Sequence, residues 1–469
     1  MRAWRSRGVS KGRTTRSVSR ARQHDALLRA AASVNVPSEV DVCVVGGGAS
    51  GLVAAIIAAE AGASVVVLES ELECGRSILA TGNGRCNFSN VLLDAGHYND
   101  PEFVGEVFGQ RPLDDILGFF RDCGLRWCLE QDRLYPMSRR AASVRNVLFA
   151  RLRRAGVIAA PARRVTQVRH QDERGFDVSF SSALADGSSA LADGTLSTLR
   201  AGRLIIACGG NGAGEAPQPW LDGLGLSSTP TRPVLCPLSC ESSPLSALDG
   251  RRVHAAVTLS KKGGPFPHWQ DRGEVMLRDY GLSGIVIFDL SRRAAPKDVL
   301  ELDLTPDLSR SELRELACGP ARGDFEPGCL DGVLDPDIAA LLQRLALARW
   351  QPTWRNWGSG VPNDDVEALV LLTKALPLRV TGAADVTHAQ VTAGGLANAQ
   401  FLPTTLEALD IPGLYATGEA LDVDGDCGGF NLSWAWKSGL VAGAAAARAS
   451  VTTARTTRSS EAGEVARHA

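Results

Sequence analysis

Gly46-Gly47-Gly48-Ala49-Ser50-Gly51 is the segment whose residue types most plainly imply chemistry, because what matters in it is the side chains that are missing. In a G-x-G-x-x-G pattern the first glycine permits a tight turn and the second lets the backbone approach a pyrophosphate. The third lets a helix pack close to a strand. Gly46, Gly48 and Gly51 hold those positions, with Ser50 beside the last. A diphosphate on such a turn meets a helix N-terminus, where unpaired N–H groups and the helix dipole favour an anion. The elements needed to hold the loop lie on either side of it. Val40 to Val45 has strand character, Leu52 to Ala61 is an Ala/Ile-rich helical run, and Ser64 to Leu68 is a second strand ending at Glu69, placed to accept from a ribose hydroxyl. Together they form a βαβ unit, the context that turns a weak glycine match into a strong one. The motif alone does not separate FAD from NAD.

Two more clusters carry the same signature of mobile backbone and polar side chains. Gly75 to Asn87 (Gly-Arg-Ser-Ile-Leu-Ala-Thr-Gly-Asn-Gly-Arg-Cys-Asn) places Arg76, Arg85 and Asn87 among glycines, a composition suited to a polar, partly anionic ligand. Gly413 to Gly425 contains Gly418, Glu419 and Asp422, and is followed by Gly428-Gly429-Phe430-Asn431 and an Ala-rich final helix.

The three clusters together resemble the family of FAD flavoproteins that includes bile-acid enone reductases, aminoacetone-oxidase-like enzymes and a ribosomal-RNA dihydrouridine synthase. The likeness covers about residues 40–447. It is carried most specifically by Thr81-Gly82-Asn83-Gly84-Arg85-Cys86-Asn87, Gly281-Leu282-Ser283-Gly284, Val391-Thr392-Ala393-Gly394-Gly395 and the segment from Gly418-Glu419 to Asn431. The resemblance implies FAD in the Gly46–Gly51 site and a discontinuous, three-layer α/β Rossmann-like domain, with a β-barrel-like unit and a helical unit inserted. It implies that Gly46, Gly48, Ser50, Gly51 and Glu69 hold the ADP half. Arg76, Gly82, Gly84, Arg85 and Asn87 would run beside the flavin and diphosphate, and Gly209 and Gly210 would turn the chain near the cofactor. Gly418, Glu419 and Asp422 would reach the ribityl-diphosphate, with the last helix starting near Gly429, Phe430 and Asn431 and aiming its positive end at the flavin pyrimidine. Such a helix end would stabilise the charge that two-electron reduction puts on that ring edge.

The family implies an oxidoreductase that passes hydride through flavin N5, with NAD(P)H as donor and a C=C bond of an organic or nucleobase substrate as acceptor. An O₂-using amine oxidase and a flavoprotein that docks on RNA are the competing expectations. This chain departs from the family in carrying Ser77 in place of Lys, Gln400 in place of Glu, and a shorter, different segment from Asn211 to Ser227. No second dinucleotide fingerprint follows Gly210-Asn211-Gly212-Ala213-Gly214, so a nicotinamide donor would have to use the open flavin face.

Among the eleven cysteines, Cys86 stands out, because a glycine- and Arg-rich loop that lowers its pKa would let it protonate the substrate when hydride arrives. The competing expectation is a small buried side chain. Cys208 and Cys427 are also expected near the flavin, without a resolving cysteine two or three residues away. No Cys/His spacing suggests a metal, and the cysteine usage fits reduced thiols in a cytosol.

The remaining features concern organisation. Glycine, 49 of 469 residues, exceeds the usual ~7 %. The net charge of −2 is a cancellation, since residues 1–39 carry +7 and residues 40–469 carry −9. The expected divisions are a basic tail (1–39), the FAD-binding domain (40–230 and 385–447), an inserted β unit (231–303 and 376–391), a helical unit (304–375) and a second tail (448–469). The first tail is read as a disordered arm, an upstream extension or a transit-like segment, so the protein is expected in the cytoplasm, or in an organelle if the segment is a transit peptide. The apolar run from Leu52 to Leu68 is broken by Glu60 and Gly62 and reads as helix then strand, with no membrane span. Val144 to Ala155 has the period of an amphipathic helix. Ser181 to Gly194 is a tandem heptad expected to be a hairpin loop, and Trp350, Trp354 and Trp357 are spaced to share a helix face. Between Arg133 and Arg174 lie eleven Arg and two acids, a stretch that is solvated surface or a contact for RNA.

Overall fold

In the computed structural model the described residues are 22, 24–182, 196–210, 219–241, 244–261, 268–318, 328–354, 360–386 and 389–465, with side chains described as far as 448. The chain forms two compact units. The first comprises residues 1–211, 215–231 and 393–469, and the second residues 212–214 and 232–392.

The first unit is built on a seven-stranded sheet. Its early elements are β1 (Glu39–Val45), α1 (Ala49–Glu60), β2 (Val65–Leu68) and the short α2 (Arg76–Ala80). Next come a small antiparallel sheet of β3 (Ser89–Asn90), β4 (Trp127–Glu130) and β5 (Arg133–Pro136), and helices α3 (Pro101–Phe108), α4 (Pro112–Asp122) and α5 (Ala141–Arg154). Strands β6 (Ile158–Ala160), β7 (Arg163–His170), β8 (Phe176–Ser182) and β9 (Leu196–Ile206) return to the main sheet, which runs β6-β2-β1-β9-β8-β7. Strand β9 is long, and it serves two neighbours. Its start pairs antiparallel with β8, while Leu204–Ile206 pairs parallel with a late strand at Leu414–Ala416. Strand β2, and β1 from Val42 onward, are apolar and buried on both faces because α1 and other helices cover the sheet.

The second unit holds a closed six-stranded barrel and helices. Beyond β10 (Ser228–Val234), the barrel strands are β11 (Leu238–Cys240), β12 (Arg252–Ser260), β13 (Trp269–Arg278), β14 (Gly281–Ser283), β15 (Val299–Asp303) and β16 (Leu376–Ala383). Counting α6 (Pro219–Asp222) earlier in the chain, its helices are α7 (Ile285–Ser291), α8 (Arg310–Cys318), α9 (Pro336–Leu347) and α10 (Asp365–Lys374). Barrel residues such as Leu259 and Leu300 share one apolar core with Leu342 and Leu369 of the helices, so the expected β and helical units are a single body. Trp350 and Trp354 follow α9 in non-helical backbone, so they do not share a helix face, and Trp357 lies outside the described residues. Most of the tandem heptad, from 183 onward, does too.

The chain re-enters the first unit through β17 (Val391–Leu396) and β18 (Leu414–Ala416) and ends in α11 (Phe430–Val465), which extends well past the expected limit of 447 into the span read as a disordered tail. The expected N-terminal tail also changes. Residues 24–32 are helical, Leu28 and Ala31 are buried, and the guanidinium of Arg163, itself 7 % exposed, donates to the carbonyls of Ala31 and Val34. A buried guanidinium needs its donors satisfied, and here backbone carbonyls rather than a carboxylate do so.

Candidate cofactor and active site

Parallel pairing places the carboxyl ends of β1, β2, β9 and β18 at one edge of the sheet. The loops leaving that edge are Gly46–Gly51, Glu69, Ala207–Gly210 and Thr417–Asp422, so segments far apart in sequence converge where open α/β sheets bind ligands.

Each glycine of the first loop is explained by what surrounds it. A Cβ on Gly46 (φ +107) would overlap the carbonyl oxygen of Ala207, and one on Gly51 would overlap that of Gly46. Gly48 differs, because the nearest atom to its missing Cβ is Ser77 Oγ at 3.6 Å, which leaves the loop open on that side at the N-terminus of α1. Glu69 has a role beyond the expected one. Its Oε2 accepts from Gly47 N–H (2.7 Å) and its Oε1 from Glu71 N–H (2.8 Å), so the carboxylate ties the glycine turn to the end of β2. A carboxylate offers about four lone-pair sites, enough to keep these bonds and accept from a ribose hydroxyl.

The second cluster is wound tightly. Gly82, Asn83, Gly84 and Cys86 all have positive φ, so two non-glycine residues are held in the left-handed region. Arg85 and Arg76 each have a carboxylate partner. Arg85 donates two hydrogen bonds to Glu130 (2.7 and 2.8 Å) and lies 4.5 Å over the Tyr135 ring, while Arg76 pairs with Glu71 at the surface.

The third cluster is tied to α1 and α11. Gly418 (φ +65) lies against Ser50, its N–H donates to Ser438 Oγ (3.0 Å) and its carbonyl accepts from Trp434 Nε1 (3.0 Å). Glu419 is in the same short turn, Gly418–Ala420. Asp422 Oδ1 accepts from Asn99 Nδ2 and Gly394 N–H, both at 3.2 Å, which makes it a brace between segments. Asn431 likewise brackets Gly425, accepting from its N–H (2.7 Å) and donating to its carbonyl (2.8 Å). Gly209 (φ +71) and Gly210 lie just beyond β9, and a Cβ on Gly209 would meet nothing.

At the start of α11 the geometry fits a flavin pyrimidine edge, which presents carbonyl oxygens and one N–H. The first N–H groups of a helix have no intrahelical acceptor and can meet the carbonyls. Asn87 Oδ1 is buried without a hydrogen-bond partner and lies 2.9 Å from where a Cβ on Gly429 would stand. A buried acceptor without a donor is costly, and the flavin N–H would satisfy it. Gly429 leaves the room.

A family model described as "HI0933-like protein Rossmann domain" matches residues 40–445. The chain belongs to this family. This makes it an FAD-dependent oxidoreductase of the hydride-transferring kind. Two relatives are similar along nearly their whole length. A 3-dehydro-bile acid delta(4,6)-reductase of Clostridium scindens is 34% identical, covering 86% of this chain and 98% of the relative. A ribosomal RNA dihydrouridine synthase of Escherichia coli is 26% identical over 85% and 96%. Among solved structures, a 3-ketosteroid-delta4-(5alpha)-dehydrogenase of Rhodococcus jostii RHA1 aligns with a TM-score of 0.43 and 15% identity, covering 88% of this chain and 98% of that one.

Gln400, read above as a departure from the family pattern, has local partners. Its side chain accepts from Ser227 N–H (2.7 Å) and donates to the Ser227 carbonyl (2.8 Å), a pairing that a glutamate, which only accepts, cannot make.

Of the two expectations for Cys86, the structure fits the small buried side chain and not the activated thiol. It is fully buried, and burial pushes its pKa up to about 11 despite the help of Thr81. Cys208 is pushed up to about 12 by the same cause. Two features went unread in the sequence. His97 and Asp426 pair beside Phe430 although 329 positions separate them, and Gly439 and Gly443 let α11 touch α1. No helix among the described residues is long and apolar enough to cross a membrane, and none of their His, Cys, Asp and Glu side chains group as metal ligands.

Proposed function

We propose that this protein reduces a conjugated C=C bond in a small organic substrate, with NAD(P)H as the source of hydride. The observation that carries the reading is the combination of an extensive likeness to a bile-acid C=C reductase with the α11 terminus, where Asn87 and Gly429 leave a flavin-shaped polar demand. When bound, FAD supplies a hydride acceptor and donor at N5. The chain's own contribution is electrostatic and positional. The N-terminus of α1 with the open Gly48 face would hold the diphosphate, and Glu69 the ribose. Asn87 and the first N–H groups of α11 would fix the pyrimidine edge and favour negative charge there.

The test is anaerobic. The FAD-loaded protein is reduced with NADPH and then mixed with a 3-oxo-4,6-diene bile acid or a uridine-containing RNA. Hydride transfer to the dienone supports the reading, and reduction of the RNA alone replaces it.

A second reading, reduction of a base in RNA, is favoured by one observation. Of the eleven Arg between 133 and 174, Arg139, Arg145 and Arg151 are paired with Glu130, Glu73 and Glu60, and Arg163 is buried. Arg140, Arg153, Arg154, Arg164, Arg169 and Arg174 are exposed and available to a polyanion.

A further inference from the structure

We infer that His97 is the proton donor of the reaction and that Asp426 is its positioning residue; the inference rests on the proposed C=C reduction. Adding hydride to one carbon of a conjugated double bond leaves negative charge on the rest of the system, and a proton must reach the other carbon. The groups around Asn87 and Gly429 differ in their fitness for that task. Cys86 is sealed and holds its proton. Tyr98 commits its hydroxyl to the carbonyl of Phe430 (2.7 Å), and Lys437 pairs with Asp115 (2.5 Å).

His97 is held differently. Its Nδ1 lies 3.1 Å from Asp426 Oδ2, and its ring stacks on Phe430 with centroids 4.0 Å apart and planes 20° from parallel. Phe430, 4 % exposed, is the first residue of α11, so the imidazole lies against the helix end assigned above to the flavin. The two backbones are joined as well. Asp426 N–H donates to the His97 carbonyl (3.0 Å), Tyr98 bridges to Gly425, and Asn99 N–H donates to the Asp424 carbonyl (3.1 Å). Asn431 then clamps Gly425 and Asp426 from the helix side. A solvent-exposed ion pair on two mobile side chains contributes little, whereas this imidazole is fixed on one edge, on one face and through its backbone. It still keeps 36 % of its side chain exposed, which gives access to a substrate and to water.

With a carboxylate accepting from Nδ1–H, the proton that leaves is the one on Nε2. In the step, the Nε2–H bond of the imidazolium breaks and a C–H bond forms at the carbon next to the one that receives hydride from the reduced flavin. The flavin is oxidised, the double bond is reduced, and water returns the proton to the neutral imidazole.

The test uses FAD-loaded wild type, His97→Gln and Asp426→Asn, each reduced with dithionite and mixed with either a 3-oxo-4,6-diene bile acid or ferricyanide, which takes electrons and needs no proton on carbon. His97→Gln is expected to bind FAD, to be reoxidised by ferricyanide within about twofold of wild type, and to lose about 100-fold or more with the dienone, the size of a general-acid contribution. Reoxidation by the dienone at the wild-type rate in His97→Gln overturns the assignment. A second readout does not depend on turnover. Imidazole ¹⁵N shifts should show the proton of neutral His97 on Nδ1 in wild type and a changed tautomer balance in Asp426→Asn; a proton resident on Nε2 in wild type overturns the dyad. Wild type that reacts with ferricyanide and no dienone contradicts the C=C reading instead, and the ¹⁵N result still decides the dyad.

Discussion

Cys86 and Glu69 show how burial and hydrogen bonding sort residues that look alike in a motif. The Cys86 thiol has an ordinary pKa of 9.0 and sits at about 11 in the fold. Below pH 9 it is protonated both folded and unfolded, so its contribution is fully present. Between pH 9 and 11 the unfolded chain releases the proton while the folded one keeps it, and stability drains away by about 3 kcal/mol at ~1.4 kcal/mol per pH unit. Denaturant titrations at pH 8 and 10.5 should therefore show a smaller alkaline loss in Cys86→Ala than in wild type. Glu69→Gln removes the charge from the bonds to Gly47 and Glu71. Hydrogen bonds to charged groups are worth roughly 1.5–3 kcal/mol, and FAD affinity measured by fluorescence quenching should fall at least tenfold. The glycine turn was legible in the sequence because each glycine answers a local demand of turn, ligand or helix contact. The turning of Arg85 and Arg76 to Glu130 and Glu71 was not, since an arginine's partner is chosen by the folded surroundings.

At the scale of elements, the contact between α1 and α11 holds the site together. A Cβ on Gly443 would overlap the carbonyl of Ala54, and one on Gly439 would lie 2.6 Å from that of Ser50, so the two helices meet backbone to backbone. That approach also brings Ser438 and Trp434 of α11 to Gly418. Gly443→Val should cost about 1–3 kcal/mol, the usual range for overpacking, seen as a lowered melting temperature together with weaker FAD binding. The βαβ start and the amphipathic α5 were readable from periodicity. The glycine pair was hidden inside an Ala-rich run, where a four-residue spacing of small side chains carries no polarity signal. The N-terminal helix was hidden for another reason: a basic composition outweighed Leu28 and Ala31, and the buried Arg163 that receives them lies over 130 positions away. Arg163→Ala should expose residues 24–32 to a protease that leaves the wild type intact there.

At the scale of the whole molecule there are two hydrophobic cores, one under the seven-stranded sheet and one filling the barrel and its helices. All the loops proposed to hold the cofactor belong to the first. Ligand binding stabilises only what it binds, so calorimetry is expected to show FAD raising the transition of the sheet unit by more than that of the barrel unit; equal shifts would mean that the two unfold as one. The net charge of −2 was uninformative as a total, and the fold explains why: part of the internal Arg excess is spent on ion pairs with Glu60, Glu73 and Glu130, and one Arg is buried. The central claim is that the converging glycine loops hold FAD for hydride transfer to a conjugated double bond. The most direct measurement is a single anaerobic stopped-flow trace of the reconstituted protein at 450 nm. The account predicts one FAD per chain, bleached by NADPH and restored by a 3-oxo-4,6-diene bile acid with formation of the reduced steroid. Failure to bind FAD, or a bound flavin that no hydride donor bleaches, would contradict it.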